Sequence, residues 1–101
     1  MIARMWRGQV SREKKEAYVE YLKKTGLKDY ATTPGNRGVY LLASDKDGVV
    51  EFATLTFWDS LDAVKAFAGK DYTHARYYPE DKEFLLSFAP EVEHFEVIES
   101  R

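Results

Sequence analysis

Four segments of the chain are predicted to be β-strands, and in the first and last of them residues alternate between two faces. The four segments are residues 2–10, 37–44, 49–58 and 92–98. Between the second and the third lies Asp45-Lys46-Asp47-Gly48, where Gly48 can adopt the positive φ that short hairpin loops need. The sequence therefore predicts four strands, of which the two central ones pair antiparallel.

Two other segments space their apolar residues three and four apart, as in a helix with one buried side. The first helix is expected over residues 12–24, after a cap at Ser11. The second is expected to run from a cap at Asp59 or Ser60 to Gly69. The order strand, helix, strand, strand, helix, strand is that of a split βαβ unit.

The connecting segments carry turn-forming residues. Gly26 is expected to end the first helix, and residues 27–36 to form a loop. Residues 71–77 and 79–86 are predicted to be short helical turns. The fold class is α+β, a ferredoxin-like βαββαβ unit with a four-stranded antiparallel sheet and both helices on one face. No repeat or linker interrupts residues 1–101, which are expected to form a single domain.

Sorting the strand residues by odd and even position separates two faces of the sheet. One set is nearly all apolar and is expected to lie under the helices: Ala3, Met5, Val39, Leu41, Ala43, Ala53, Leu55, Phe57, Phe95 and Val97. The other set mixes aromatic and polar residues and is expected to be left bare: Arg4, Trp6, Tyr40, Leu42, Phe52, Thr54, Thr56, Trp58, Val92, His94 and Ile98. A bare face this apolar predicts a homodimer in which two sheets close face to face.

The amino-acid composition excludes several classes of function. The 101 residues include no cysteine, which excludes a disulfide framework, a Cys-ligated zinc site and thiol catalysis. The chain has fifteen basic and seventeen acidic residues, and this balance of charge argues against nucleic-acid binding. No apolar stretch approaches the roughly 20 residues of a membrane span. We therefore expect a cytoplasmic protein that binds no membrane and no metal, with a small molecule as its ligand.

Functional side chains are densest in the segment His74-Ala75-Arg76-Tyr77-Tyr78-Pro79-Glu80-Asp81. A histidine can exchange a proton near neutral pH, and a neighbouring Arg or Tyr can hold an oxyanion. The alternative is that the tyrosines pack under the sheet edge while His74 and Arg76 face solvent.

A second group lies on the mixed face. Trp6, Tyr40 and Trp58 could sandwich a flat aromatic ligand, and Arg4 could supply a charge for a phenolate or carboxylate. His94 shares this face. Ordinary packing at a dimer interface is the alternative, because aromatic residues, Arg and a bonded His are common there.

The strand end Phe57-Trp58-Asp59-Ser60, followed by Ala66-Phe67 and the stretch from Tyr72 to Asp81, resembles the antibiotic biosynthesis monooxygenase superfamily of dimeric α/β barrels. The resemblance covers nearly the whole chain. It implies a homodimer whose four-stranded sheets pair into a barrel, with a ligand cavity between sheet and helices in each subunit. Relatives include cofactor-independent monooxygenases of quinols and haem-degrading monooxygenases.

The haem-degrading branch carries an Asn on the first strand, a Trp late in the second helix and a His about ten residues further on. Here the first strand reads Arg4-Met5-Trp6-Arg7, Phe67 replaces the Trp, and Tyr77 stands where the His is expected. His74 lies one helical turn earlier. Since all three signature residues differ, no cofactor is expected, with haem bound through Tyr77 or His74 as the alternative.

The resemblance and the residues together predict a cofactor-independent monooxygenase acting on a small aromatic or quinol-type substrate. The predicted catalytic residues are His74, Arg76 and Tyr78. The predicted ligand-binding residues are Arg4, Trp6, Tyr40, Trp58, Phe67, Tyr77 and His94. The alternative function is that of a non-catalytic small-molecule-binding or stress-related dimeric barrel protein. Haem degradation is a third hypothesis.

Overall fold

The computed structural model describes residues 1–75, 78–89 and 91–101. Its helices and strands, in chain order, are β1 (Ile2–Ser11), α1 (Lys15–Lys24), α2 (Gly26–Thr32), β2 (Asn36–Lys46), β3 (Val49–Trp58), α3 (Leu61–Ala68), β4 (Leu85–Phe88) and β5 (Glu93–Glu96). Single 3₁₀ turns precede α1 (Arg12–Lys14) and β4 (Pro79–Glu83). None of the described helices is long and apolar enough to cross a lipid bilayer.

The strands form one antiparallel sheet with β1 and β3 at its centre. β3 pairs with β1 from Ile2 opposite Trp58 to Ser11 opposite Val49, and its other edge pairs with β2. The remaining edge of β1 is shared, because β5 pairs with its first half and β4 with its second half. The structure confirms the α+β, ferredoxin-like class.

The segment 79–86 was expected to be helical, and this expectation is wrong beyond its first turn. After the 3₁₀ turn Pro79–Glu83, residues Leu85–Phe88 form β4 beside the second half of β1. A short run such as Leu85-Leu86-Ser87-Phe88 does not reveal its conformation by periodicity, and pairing with β1 decides it.

The predicted loop over 27–36 is also wrong in its first part, because residues Gly26–Thr32 form α2. Thr25 breaks the path of α1 with φ −120° and ψ −98°, and its carbonyl then accepts the N–H of Asp29 as the helix resumes. Gly26 therefore begins a helix and does not end one. At the other end, the hydroxyl of Thr33 donates to the carbonyl of Asp29.

On β1, β3 and β5 the two faces of the sheet are the reverse of the sequence expectation. On these strands the helices cover the mixed set, in which Arg4, Trp6, Phe52, Thr54, Thr56 and Trp58 are all buried. Large rings reach across to the helices: the Trp58 ring centroid lies 5.2 Å from that of Phe67, and the Phe52 ring lies 5.0 Å from that of Tyr18. The polar groups are satisfied within the sheet, since Trp58 Nε1 donates to the Thr56 hydroxyl at 2.9 Å.

Strand β2 does not share this reversal: Tyr40 and Leu42 are exposed, as expected, and Leu41 packs against the core. Only Asp47 and Gly48 form the turn, with φ of 47° and 82°, so Lys46 pairs with Val49. A two-residue turn pairs odd with even positions, which puts Tyr40 opposite Leu55 and Leu42 opposite Ala53. Tyr40 and Leu42 consequently belong to the uncovered face.

We call this uncovered surface the open face; it comprises Met5, Tyr40, Leu42, Ala53, Leu55, Phe57 and Phe95. Tyr40 is 56% exposed and Phe95 is 48% exposed. The open face joins apolar residues of β1, β3 and β5 to Tyr40 and Leu42 of β2, and the ion pair between Arg7 and Glu93 lies on the same side of the sheet beside Met5. The helices therefore leave bare a largely apolar surface, which water disfavours.

One glycine in β1 is required by packing. A Cβ on Gly8 would lie 2.6 Å from Trp6 Cζ2 and 3.1 Å from Leu85 Cδ2, because the Trp6 indole crosses the strand at this point. We expect Gly8→Ala to displace the buried indole and to lower the free energy of unfolding by about 1–3 kcal/mol in urea titrations. Gly26→Ala is the matched control, since its Cβ would meet nothing closer than Leu22 Cδ2 at 3.9 Å. Equal losses in both variants would contradict the prediction.

Candidate functional site

A small cavity lies between the covered face of the sheet and the helices. Its volume is about 40 Å³, and we call it the inner cavity. The residues that line it come from the sheet, from α1 and α2, and from the 3₁₀ turn before β4: Trp6, Tyr18, Leu22, Gly26, Leu27, Tyr30, Thr54, Tyr78, Asp81 and Val92.

A larger recess adjoins it at the sheet edge. This outer groove has a volume of about 370 Å³ and is lined by Tyr78, Asp81, Lys82, Leu85 and Phe88. Sites for small molecules generally measure about 300–1,000 Å³. Tyr78 and Asp81 line both spaces, so these two residues form the boundary between the inner cavity and the outer groove.

Asp81 is the central polar group of this boundary. Its carboxylate Oδ2 accepts the backbone N–H of Tyr78 at 2.8 Å, which fixes the start of the 3₁₀ turn as in a capping box. Its Oδ1 accepts the hydroxyl of Tyr21 at 2.7 Å, and the residue is only 8% exposed. Each oxygen keeps a second lone pair, so the carboxylate can still accept a proton from a ligand.

Burial raises the pKa of Asp81 above its ordinary value, the Tyr21 hydrogen bond opposes this, and nearby Glu80 adds to the increase. Burial, together with the bond to Asp81, raises the pKa of Tyr21, so Tyr21 stays a phenol at neutral pH. A carboxylate whose pKa is raised toward neutrality at the wall of a cavity has the properties of a general base.

A second phenol–carboxylate contact holds the same turn against the helices. The Tyr78 hydroxyl donates to Asp29 Oδ2 of α2. The turn at residues 79–83 is thus attached to α1 through Tyr21 and Asp81 and to α2 through Tyr78 and Asp29. These contacts hold the turn, which separates the inner cavity from the outer groove, against the two helices.

Four of the predicted ligand-binding residues form a separate cluster on the covered face. Arg4, 2% exposed, stands opposite His94 across β1 and β5, and its guanidinium lies 5.8 Å from the ring centroid of Phe67. Trp58 packs against Phe67. Arg4 Nη2 donates to the carbonyl oxygens of Tyr72 and His74 at 3.3 and 3.4 Å.

This cluster lies beside the inner cavity and does not line it. Arg4 is two residues along β1 from Trp6, a displacement of roughly 6.6 Å in a strand. Of the predicted ligand-binding residues that the structure describes, Trp6 is the one on the cavity wall.

The remaining predicted residues are scattered. Tyr78 lines both spaces, whereas the exposed side chain of His74 lines neither of them. Tyr40 does not join Trp6 and Trp58: it lies on the open face, 6.0 Å from the Phe57 ring centroid, because of the hairpin pairing. Arg76 and Tyr77 lie outside the described residues. Asp81, the buried acid of the site, was not among the predicted site residues; the sequence shows only a carboxylate placed to cap a turn after Tyr78.

The pH dependence of folding should reveal the burial of His94. Its Nε2 is buried and has no hydrogen-bond partner in the described parts of the chain, and Tyr72 packs against its ring at 5.3 Å. Burial and, second, the charge of Arg4 lower the pKa of His94. The unfolded chain takes up a proton as pH falls through about 6.5, which the native state resists, so stability is lost below that pH.

We expect the free energy of unfolding to fall between pH 7.5 and 5, by at most about 1.4 kcal/mol per pH unit for this one proton. The measurement is a series of urea titrations at stepped pH. His94→Gln should flatten the slope, whereas His74→Gln, at an exposed position, should leave it unchanged. A slope unaffected by His94→Gln would refute the assignment.

Comparison with known proteins identifies solved structures that have the same fold. No family model matches the sequence, and no curated protein matches it. Solved structures do match over nearly the whole chain. A candidate antibiotic biosynthesis monooxygenase from Bacillus cereus superposes with a TM-score of 0.68 at 14% identity, covering 99% of this chain and 95% of that one. One from Nitrosomonas europaea gives 0.68 at 16% identity, with coverages of 98% and 100%.

The haem degrader MhuD from Mycobacterium tuberculosis, solved with two haems in its active site, gives a TM-score of 0.62 at 18% identity and covers 100% of this chain and 99% of its own. At such identities the similarity concerns the arrangement of strands and helices, whose order and covered sheet face are described above. The protein shares the α+β fold of these solved structures.

Proposed function

We propose that this protein is a cofactor-independent monooxygenase of a small phenol or quinol that binds in the outer groove. The supporting observation is the buried Asp81 carboxylate at the boundary between the groove and an aromatic-walled cavity. An engineered cavity of about 150 Å³ holds a benzene ring. The outer groove, at about 370 Å³, is therefore large enough for an aromatic substrate, and the inner cavity is too small.

The reaction needs no external reductant, because a phenol and dioxygen together contain the atoms and electrons of a quinone and water. Asp81 takes the phenol proton, and the phenolate carries the electron density that reduces dioxygen. A C–O bond forms at a ring carbon, the O–O bond then breaks, and the hydrogen of that carbon leaves with the departing oxygen as water. The protein's part is to hold the base against the hydroxyl and keep water from the anion.

Oxygen uptake tests the proposal. Purified protein is mixed with naphthols, hydroquinones and the matching methyl ethers in an oxygen electrode. We expect uptake with free hydroxyls and none with the ethers, together with one quinone formed per dioxygen consumed. Absence of uptake with every phenol, in protein that binds them, would refute catalysis and favour the alternative of a binding protein. That alternative has an observation behind it, since Asp81 already serves to cap the 3₁₀ turn.

The residues around the site do not fit a haem. An axial ligand to haem iron is a His, Cys, Met or tyrosinate. In the described part of the chain the walls of both spaces contain no His or Met, and the hydroxyl of Tyr78 donates to Asp29. Tyr18 and Tyr30 line only the inner cavity, which at about 40 Å³ is too small for a haem. Of the ligands considered from the sequence, His74 lines neither space and Tyr77 falls outside the described residues. The proposed reaction therefore involves no haem.

We further propose a homodimer closed through the open face. The expected partner surface was the mixed face, but on β1, β3 and β5 the helices cover that face, and the apolar residues of these strands are left bare together with Tyr40 and Leu42. Exposed Tyr40, Leu42 and Phe95 form a contiguous part of one sheet surface with the less exposed Met5 and Leu55. Apolar patches of this kind usually mark interfaces. Sedimentation at micromolar concentration tests the proposal, and a monomeric mass there would refute it.

A further inference from the structure

The hydroxyl of Thr54 is a buried polar group on the wall of the inner cavity. Thr54 is 5% exposed, and within the described residues its hydroxyl makes no hydrogen bond. Thr56, two residues further along the same face of β3, differs from it: its hydroxyl donates to the carbonyl oxygen of Arg4 at 3.3 Å and accepts the indole N–H of Trp58 at 2.9 Å. Buried hydroxyl groups nearly always have a partner, so the partner of Thr54 is expected among the occupants of the inner cavity.

The size and polarity of the inner cavity suit a small group that both donates and accepts hydrogen bonds. At about 40 Å³ it has room for about three atoms the size of a water oxygen, at about 10–15 Å³ each. Asp81 lies on the same wall, and each oxygen of its carboxylate keeps one lone pair after accepting from Tyr21 and from the Tyr78 backbone. A hydroxyl group in this space can therefore accept from Thr54 and donate to Asp81.

We propose that the substrate is a catechol, a ring with hydroxyl groups on two adjacent carbons, and that Thr54 sets this specificity by binding the second hydroxyl in the inner cavity. The inference rests on the proposed function, in which Asp81 takes the proton of the first hydroxyl while the ring lies in the outer groove. Because Asp81 lines both spaces, a hydroxyl bonded to it stands at the boundary between them.

The position of the second hydroxyl on the ring decides whether it can enter the inner cavity. In catechol the two oxygens lie roughly 2.7 Å apart, about the length of one hydrogen bond, so the second oxygen reaches past the boundary while the ring stays outside. In resorcinol and hydroquinone the second oxygen lies farther round the ring, in the outer groove, and leaves Thr54 unbonded.

The three benzenediols test the proposal without turnover, because they have the same composition and differ only in the position of the second hydroxyl. Their Kd values for the intact protein are measured by isothermal titration calorimetry under nitrogen, which prevents oxidation. We expect catechol to bind about fivefold more tightly than resorcinol or hydroquinone, the effect of one net hydrogen bond. Equal Kd values for the three isomers would leave water as the only occupant of the inner cavity and would overturn the proposal.

Variants of Thr54 show whether its hydroxyl causes the preference. Thr54→Val removes the hydroxyl, so it should abolish the preference for catechol and leave the Kd of hydroquinone unchanged. Thr54→Ser retains the hydroxyl and should retain the preference. Thr73→Val is the matched control, because it removes a hydroxyl at an exposed position that lines neither space.

A preference for catechol that persists in folded Thr54→Val would place the second hydroxyl elsewhere and overturn the assignment. If Thr54→Val does not fold, Thr54→Ala takes its place, since it lacks the hydroxyl too and adds no bulk to the wall. Loss of the preference in Thr73→Val would also contradict the assignment, because that position contacts neither space.

Oxygen uptake separates this inference from the proposed function. If catechol is oxidised, its KM should rise about fivefold in Thr54→Val with kcat unchanged, as when an interaction made equally in the ground and transition states is removed. If no benzenediol is oxidised, the oxygenation is refuted, and the Kd values alone decide whether Thr54 binds catechol. If uptake occurs with equal Kd values for the isomers, the specificity assignment fails and the oxygenation stands. If none of the isomers binds, both are refuted.

Discussion

Asp81→Asn is expected to lower phenol turnover by about 10²–10⁴-fold, the usual contribution of a positioned base. The variant keeps the shape of the wall. Its amide oxygen can accept the backbone N–H of Tyr78, and its amide nitrogen can donate to the oxygen of Tyr21, whose hydroxyl then turns outward. The Kd of the phenol should therefore change little, and the loss should appear in kcat.

The control for this change is Glu83→Gln, which removes a carboxylate from the same turn at an exposed position outside both spaces. It should leave kcat and the melting temperature as they are. Calorimetry on Asp81→Asn distinguishes lost chemistry from lost structure. A folded Asp81→Asn protein with wild-type kcat would remove Asp81 from the mechanism.

A pH profile separates a base from a residue that only caps the turn. Since the base must be ionised, kcat should rise with pH through the raised pKa of Asp81 and then level off. The Tyr21 hydrogen bond lowers that pKa, so Tyr21→Phe should move the rising limb to higher pH with the plateau unchanged. A purely structural Asp81 would leave the limb where it is.

Leu55→Arg is expected to convert the proposed dimer into a monomer at micromolar concentration. Leu55 stands at the middle of the open face, with Met5 opposite it on β1 and Tyr40 opposite it on β2. A guanidinium at the centre of an apolar interface loses its hydration without gaining a partner. Association should weaken by at least about 100-fold, as at the central contacts of other interfaces.

The helices pack on the other side of the sheet, so the isolated subunit should keep its secondary structure and its core. Leu86→Arg makes the same replacement at a more exposed leucine on β4, outside the open face, and should leave the mass unchanged. Analytical ultracentrifugation over a concentration series measures both variants. Dimers of equal stability in wild type and Leu55→Arg would exclude the open face as the contact.

Most of the fold could be predicted from residues that lie close together in the sequence. The strand Val49–Trp58 has its predicted bounds, and Ser60 caps α3 by accepting the N–H of Ala63 at 3.2 Å. Gly69, with φ of 83°, ends that helix as expected. These features depend on residues a few positions apart, which is the range over which periodicity and capping act.

The candidate site could not be predicted in the same way, because it is formed by contacts between residues far apart in the sequence. Whether a face is covered cannot be decided from its apolar fraction, because it depends on contacts with the helices, such as those of Trp58 with Phe67 and of Phe52 with Tyr18, which lie far apart in the sequence. The burial of Asp81 arises from Tyr21, sixty residues earlier. No spacing rule joins two such positions, so the carboxylate could be placed in a turn but not in a cavity wall.

The length of the β2–β3 turn decides which residues of β2 a partner molecule meets. With Asp47 and Gly48 alone in the turn, Tyr40 and Leu42 are presented outward and Val39 and Leu41 inward. One added residue there, with β3 held in place, would shift the pairing by one and exchange the two sets. Relatives of this protein could therefore acquire a different assembly surface through a single inserted codon, with the sheet, the helices and the groove left as they are.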